Sequence, residues 1–349
     1  MASVLGVGGA GFIGSNLARN LEESGDYNCT LADLWDAKAR IRFENSPYAF
    51  VKTDIASDDE QLDDLVSKHD IVLNMASVAS PQLYVQNPLD VVKLNLLDGS
   101  KVIDACVRHG KHLIHFSTSE VYGKSLGSPD PFKEEETNCV TGPIRSPRWI
   151  YSATKQLLDR IIHAHGAKGE LDYTIVRPFN VVGPLIDHVM TGPEDGSPRV
   201  FSHFMSALIN GEPLRLVDGG QSLRTFIHVD DTVAALKTIL DNRDVTNRQI
   251  YNIGNPDNEI RIDNLAKMMR KTFIEKFSSS KSDIISVPSN EFYGEGYEDT
   301  DRRMPDISKM KKLGWEPKIS LQELFDQTMD YTWKNRDRLT QAAMDAIQS

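Results

Sequence analysis

The sequence predicts an α/β fold: a doubly wound parallel sheet with a smaller C-terminal α/β substrate-binding lid. Three observations predict it. Short apolar runs alternate with helical periodicity up to about residue 180, the pattern of parallel strands joined by crossover helices. The first run, Val4-Leu5-Gly6-Val7, leads straight into a glycine-rich turn and then a helix. Past residue 180 the alternation weakens, and Gly, Pro and polar residues dominate 183–198. The domain reading is therefore 1–180, with a return segment at about 225–250, and a lid made of 181–224 and 251–349.

Composition excludes several classes of function. Of 349 residues, 40% are hydrophobic and 26% charged, enough apolar residues for a sizeable core. Net charge is −11, from 39 Lys+Arg against 50 Asp+Glu, with no basic block. Neither nucleic acid nor a membrane surface is expected as a partner. Cys29, Cys106 and Cys139 show no metal-ligand spacing and are too few for a disulfide framework. They read as reduced thiols in a cytoplasmic protein, with no metal. The N-terminus lacks a basic n-region and its apolar run is broken by glycines, so it reads as a strand and turn rather than a signal peptide. No apolar stretch reaches the length of a membrane span.

The elements follow in order. After the 4–7 strand comes Gly8-Gly9-Ala10-Gly11-Phe12-Ile13-Gly14, then a helix from 15 to about 23. Such glycines let the backbone turn tightly and let a pyrophosphate approach the helix N-terminus, which favours anions. Gly6, Gly8 and Gly11 form one register and Gly8, Gly11 and Gly14 another. The second is preferred, because Gly14 then permits close helix–sheet packing. The strand at 30–32 ends at Asp33, about 20 residues past the glycines, where a carboxylate bonds an adenosine ribose. That carboxylate would repel a 2′-phosphate, which favours NAD over NADP. Further strands fall at 50–52 and 71–73, with Asp54 and Ile55 placed to flank the adenine. A helix spans about 89–108, a buried strand 113–116, a helix 149–165 and a strand 173–176, the last leading into Arg177-Pro178-Phe179-Asn180. In the second half, 225–231 reads as a return to the first domain with a helix after it. A strand at 249–253, helices near 264–277 and 321–332, and the loop around 293–305 complete the lid. The polar tail after Trp333 reads as loosely held.

Chemistry concentrates between residues 116 and 155. Thr118 follows the 113–116 strand, at the carboxyl end where open α/β sheets place their sites. Tyr151 and Lys155 are four apart on a helix, so phenol and ammonium share one face. A neighbouring cation favours phenolate and lowers the Tyr pKa, which makes Tyr151 a general base for a substrate hydroxyl.

Taken together, the glycine turn, Asp33, Ser117-Thr118-Ser119-Glu120-Val121-Tyr122-Gly123, Tyr151/Lys155 and Arg177-Pro178-Phe179-Asn180 resemble the extended short-chain dehydrogenases of the NAD-dependent epimerase/dehydratase family, which modify nucleotide sugars. The resemblance implies a Rossmann-like fold, tightly held NAD and a lid binding a sugar nucleotide. It also implies a homodimer, formed through the helices at about 89–108 and 149–165. Ser119-Glu120 is similar to the UDP-glucuronate decarboxylases. Pro147-Arg148-Trp149-Ile150-Tyr151-Ser152 and the lid stretch Glu291–Asp299, with Arg302-Arg303-Met304-Pro305 after it, resemble the decarboxylase domain of a bifunctional polymyxin-resistance enzyme, and the lid stretch also the plant UDP-apiose/UDP-xylose synthases. Those synthases carry thiols where this chain has Ser119 and near Ala79, so the resemblance implies decarboxylation more firmly than ring contraction. It gives Thr118 an oxyanion role, and Ser119, Glu120 and Arg303 roles at the substrate carboxylate. Asn180, Arg199, Arg215, Arg224 and Tyr297 then face UDP, with Asn180 and Arg224 at the diphosphate. Replacing Asp33 by Ala is expected to weaken NAD binding and narrow the gap to NADP in cofactor titrations; equal affinity of the unmodified chain for both would contradict the reading of Asp33.

Overall fold

The structure is a computed structural model and describes residues 1–34, 47–187, 189–190, 199–279 and 282–341. Parts of the Gly- and Pro-rich stretch (188 and 191–198) and of the C-terminal tail (342–349) lie outside the described residues.

Six strands of the first half read as the sequence suggests: β1 (Ala2–Val7), β2 (Tyr27–Asp33), β3 (Ala49–Lys52), β4 (Ile71–Asn74), β5 (His112–Phe116) and β6 (Tyr173–Pro178). The second half contributes β7 (Asn180–Val182), β8 (Leu214–Val217), β9 (Leu223–His228), β10 (Gln249–Ile253), β11 (Glu259–Arg261), β12 (Ile284–Val287) and β13 (Arg302–Arg303). The central sheet is parallel throughout, in the order β10-β6-β5-β4-β1-β2-β3. Strand order reverses between β1 and β4, and a crevice opens there at the carboxyl ends of the strands. This is the expected Rossmann-like architecture.

Alternation along β1 explains the layering. Val4 packs into one apolar layer, while Leu5 and Val7 pack into the other, as successive strand residues must. On the first side lie α1 (Phe12–Ser24), whose Leu17 and Leu21 are buried, and, further along the chain, the helix Val229–Asp241. On the other side lie α2 (Asp59–Ser67), α3 (Gly99–His109) and α4 (Ile150–Ala167). Gly25 closes α1 in the left-handed conformation at φ 73°, a position that favours glycine.

Three expectations need correction. The helix expected at 89–108 is Pro88–Val92, then a π-helical stretch Lys93–Asp98, then α3. The wider turn carries buried Asn95, whose amide closes on the backbone of Val78 at 2.7 and 3.2 Å. The strand at 249–253, assigned to the lid, is instead the edge strand β10 of the central sheet, beside β6. Conversely, the strand in the 225–231 return segment does not join that sheet. It is β9, which pairs with β7, β11 and β13 in a separate small sheet; only its following helix, α5 (Val229–Asp241), lies in the layer of α1. Strands β8 and β12 pair apart from both.

Gly14 illustrates how closely the cofactor turn is packed. A Cβ there would lie 2.3 Å from the Gly9 carbonyl oxygen. Helix propensity would favour Ala by up to about 1 kcal/mol, whereas overpacking against fixed backbone costs about 1–3 kcal/mol. Gly14→Ala is therefore expected to lower unfolding free energy by urea titration; a variant as stable as the parent would show that α1 sits further from the turn.

Candidate active site

A cleft of about 610 Å³ runs along the carboxyl ends of the central strands and under the small sheet. Its first end is built by the glycine turn. Gly8 has φ 71°, and a Cβ there would meet the Ala76 backbone at 2.4 Å. At Gly11, by contrast, a Cβ would find only the Gly8 carbonyl, at 3.9 Å, so this stretch of backbone lies open to the cleft. Gly11 also caps α1 without a side chain, leaving first-turn N–H groups for an anion. Phe12, Ile13 and Gly14 line the same end. Asp33 is fixed at the end of β2, accepting from Ala10 N at 2.8 Å and Leu34 N at 2.7 Å. Asp54 and Ile55 form the adjoining wall, and the Ala56 N–H and Ser57 hydroxyl hold the Asp54 carboxyl below its usual range. Open backbone, a helix N-terminus and a fixed carboxylate fit a dinucleotide such as NAD: Gly8, Gly11 and Gly14 would hold its pyrophosphate and Asp33 a ribose.

The other end is charged. Thr118, just past β5, caps a short 3₁₀ turn, Ser119–Tyr122, its Oγ1 accepting from Glu120 N at 3.2 Å. Glu120 leaves that turn with its side chain 12% exposed and is gripped from both sides. Arg148 Nη1 donates to Oε2 at 2.6 Å, and Arg303 Nη1 to Oε1 at 3.1 Å. Burial alone would raise the Glu120 carboxyl; Arg148 and Arg303 outweigh it and hold the carboxyl at about 2. Arg302 and Arg303 are adjacent in β13 and point opposite ways: Arg302 pairs with Glu259 at 2.6 Å, and Arg303 enters the cleft.

Beside this pair, Asp299 accepts from Arg224 Nη2 at 2.5 Å and Ser222 Oγ at 2.8 Å. Three guanidiniums thus share two carboxylates, leaving a net positive charge at this end of the cleft. Arg303 registers the crowding: burial first, then Arg224, lower its pKa, Glu120 opposing and Arg148 adding. The Nε atoms of Arg148 and Arg303 are buried and find no hydrogen-bond partner among the described residues.

Tyr151 lies between the two ends, buried and stacked on Tyr84 with ring centres 4.6 Å apart and planes 7° from parallel. Burial, and then the Glu120 charge, push its phenol up to about 12, while Thr118, Ser77 and Arg199 pull the other way. The lowering expected from Lys155 is not what the structure gives. Lys155 Nζ donates to the Phe116 carbonyl at 2.8 Å, and burial brings the ammonium down to about 8. Its stabilising reach is turned to the strand end.

The remaining sequence candidates line the cleft but are partly committed elsewhere. Ser119 is buried against it. The Asn180 amide donates to Thr225 O at 2.7 Å, and Arg224 serves Asp299, so neither is turned wholly to a diphosphate. Arg199 pairs with Asp187 at 3.6 Å, and exposed Arg215 stands at the rim. Tyr297 stacks on Tyr293 at 4.0 Å. Arg148, Tyr84, Asp299 and Tyr293 are site residues that the sequence reading did not single out. Arg148 sits three residues before Tyr151, a spacing that could have drawn notice.

Fold and site define a dinucleotide-dependent enzyme of the Rossmann type with a charged second half to its cleft. The chain belongs to the NAD dependent epimerase/dehydratase family, whose model matches residues 4–254. It is 39% identical over 352 residues to the UDP-D-apiose/UDP-D-xylose synthase of Oryza sativa subsp. japonica, covering 94% of this chain and 88% of the relative. It is 38% identical over 349 residues to UDP-D-apiose/UDP-D-xylose synthase 1 of Arabidopsis thaliana, covering 93% and 90%. Among solved structures it resembles the PbgP3 protein from Burkholderia pseudomallei, with 32% identity, a TM-score of 0.85 and coverage of 98% and 99%.

Glu120 has a depressed folded pKa, so its stabilisation is complete above the unfolded value of about 4.3 and is lost as pH falls from there toward about 2. Glu120→Gln leaves two buried guanidiniums short of a counter-charge and is expected to cost about 3–5 kcal/mol at pH 7. Urea unfolding from pH 7 down to pH 3 should show the gap between parent and variant narrowing; a constant gap would mean that the carboxylate charge contributes nothing.

Proposed function

We propose that this protein is an NAD-dependent UDP-glucuronate decarboxylase acting at C4 and C5 of the sugar to give UDP-4-keto-pentose, UDP-xylose, or both. The net positive charge of Arg148, Arg224 and Arg303 over Glu120 and Asp299 carries the reading, because a carboxylated sugar suits it and a neutral one leaves it uncompensated. Bound NAD supplies the hydride acceptor for C4. Tyr151 is the base for the C4 hydroxyl proton, reached by Thr118, whose hydroxyl bonds the developing C4 oxygen. Lys155, one turn on, is anchored on the Phe116 carbonyl and lines the cleft, placed to contact the cofactor ribose. With a ketone at C4, the carboxylate is β to it. The C5–C6 bond then breaks, carbon dioxide leaves, and the electron pair stays as an enolate until a proton returns to C5.

Arg303 and Arg148 hold the carboxylate until it leaves. Glu120 bridges the two guanidiniums, offsets their repulsion and offers charge balance once carbon dioxide has gone, with Ser119 beside it orienting the group. Asn180, Arg199, Arg215, Arg224 and Tyr297 take the UDP end, all on the cleft wall. We assign 1–180, with β10, to cofactor binding and the small sheet and its neighbours to the substrate. The relatives' name favours one second reading, a UDP-apiose/UDP-xylose synthase. Ala79 and Ser119 both line the cleft without a thiol, which leaves ring contraction without the groups that the resemblance associates with it.

No described helix is long and apolar enough to cross a membrane. Three unpaired cysteines support a reducing, cytoplasmic setting. A homodimer is supported by exposed Leu89, Leu97 and Leu157, which lie on the 88–98 segment and on α4.

Incubation with NAD and UDP-glucuronate, followed by mass and NMR analysis, is expected to show carbon dioxide loss and a six-membered pentose ring. Tyr151→Phe should abolish turnover while NAD still binds, and Lys155→Met should be severe. A 4-epimer that keeps its carboxyl would contradict the proposal, and a five-carbon branched sugar would favour the second reading.

A further inference from the structure

Asn252, next to the end of β10, is fully buried, yet it meets polar groups from three separate segments. Its backbone N–H donates to Glu134 Oε1 at 2.9 Å. Its side-chain amide donates to Phe132 O at 2.8 Å and to Asp306 O at 3.1 Å. Its Oδ1 accepts from the Tyr122 hydroxyl at 2.7 Å. Arg177 on β6 completes the set, donating to the Tyr122 oxygen at 3.1 Å and to Glu134 O at 3.2 Å. A buried network satisfied in this way rigidifies what it joins.

What it joins are the two halves of the Glu120–Arg303 pair. Tyr122 closes the 3₁₀ turn that carries Glu120. Asp306 lies three residues past Arg303, and that run is further laced to Phe132, with Phe132 N donating to Met304 O at 2.7 Å and Asp306 N to Phe132 O at 2.9 Å. The two charged residues stand 183 apart in sequence, and Asn252 is bonded to the segment of each. Thr118, although it caps the same turn, and Lys155 have further anchors outside this network: Ser117 N donates to Val176 O at 2.9 Å, and Lys155 holds Phe116 O.

We propose that Asn252 and Tyr122 are positioning residues that keep Arg303 in register with Glu120, so that loss of carbon dioxide depends on them while oxidation at C4 does not. This rests on the reading under Proposed function. Neither residue touches the substrate in this account; both act through the guanidinium. A displacement of about 1 Å would break the 3.1 Å contact, a shift that can cost on the order of 10²-fold in a positioned reaction.

Two measurements test it, on Asn252→Ala and on Tyr122→Phe, which keeps the ring and removes only the hydroxyl. The first follows reduced cofactor and carbon dioxide side by side, with NAD and UDP-glucuronate. Carbon dioxide release is expected to fall about 10-fold or more while reduced cofactor appears at nearly the parent rate, so that a 4-keto uronate accumulates. Equal loss of both signals, or of neither, overturns the proposal. The second needs no substrate: a thermal double-mutant cycle of Glu120→Gln with each variant. Coupled residues give a combined loss in Tm clearly smaller than the sum, and simple additivity overturns the proposal. If the parent releases no carbon dioxide, the functional reading fails by itself, and the thermal cycle still decides whether Asn252 positions the pair.

Discussion

Glu120 held between two buried guanidiniums is the interaction on which the rest of this site depends. A carboxylate at this depth, without Arg148 and Arg303, would take up a proton, and the guanidiniums without Glu120 would repel one another and Arg224. The pair forces three distant pieces of chain together: the turn after β5, the loop before α4 and strand β13. Each has its own reason to be there. Thr118 caps the turn, the Trp149 indole donates to Glu298 at 2.7 Å, and β13 pairs in parallel with β9.

The same charges set the conditions for proton transfer. Glu120 works against a phenolate at Tyr151, and burial adds to that. The Nε atoms of Arg148 and Arg303, buried and without partners among the described residues, lie in this same field.

The central sheet was legible because its evidence is local. A buried parallel strand carries a short apolar run, and β1, β2, β4, β5 and β6 each do, while the half-buried edge strand β3 still has Phe50-Val51. Strand β10 is such a run too, but nothing in 249–253 says that it will lie against β6. The π-helical stretch at 93–98 escaped because one extra residue per turn barely disturbs an apolar period. In the cleft, Tyr151 and Lys155 carry a helical spacing and Thr118 follows a strand, and all three line it as read. Arg148 stands three residues before Tyr151, but its partner Glu120 is 28 residues away and visible only in space. Asn180 and Arg224 were read as free ligand groups because their partners, Thr225 O and Asp299, are far off in sequence. Lys155 was read by helical spacing alone, which places it on the face of Tyr151 but does not show the Phe116 carbonyl that accepts its hydrogen bond.

The central claim is that excess positive charge at the inner end of the cleft selects a carboxylated sugar. Calorimetric titration of the NAD-loaded Tyr151→Phe variant, which binds without turnover, tests it most directly. UDP-glucuronate should bind at least about 10-fold more tightly than UDP-glucose, the scale of one charge-assisted hydrogen bond, and Arg303→Met in the same background should erase the difference. Equal affinity for the two sugars before that substitution would contradict the account.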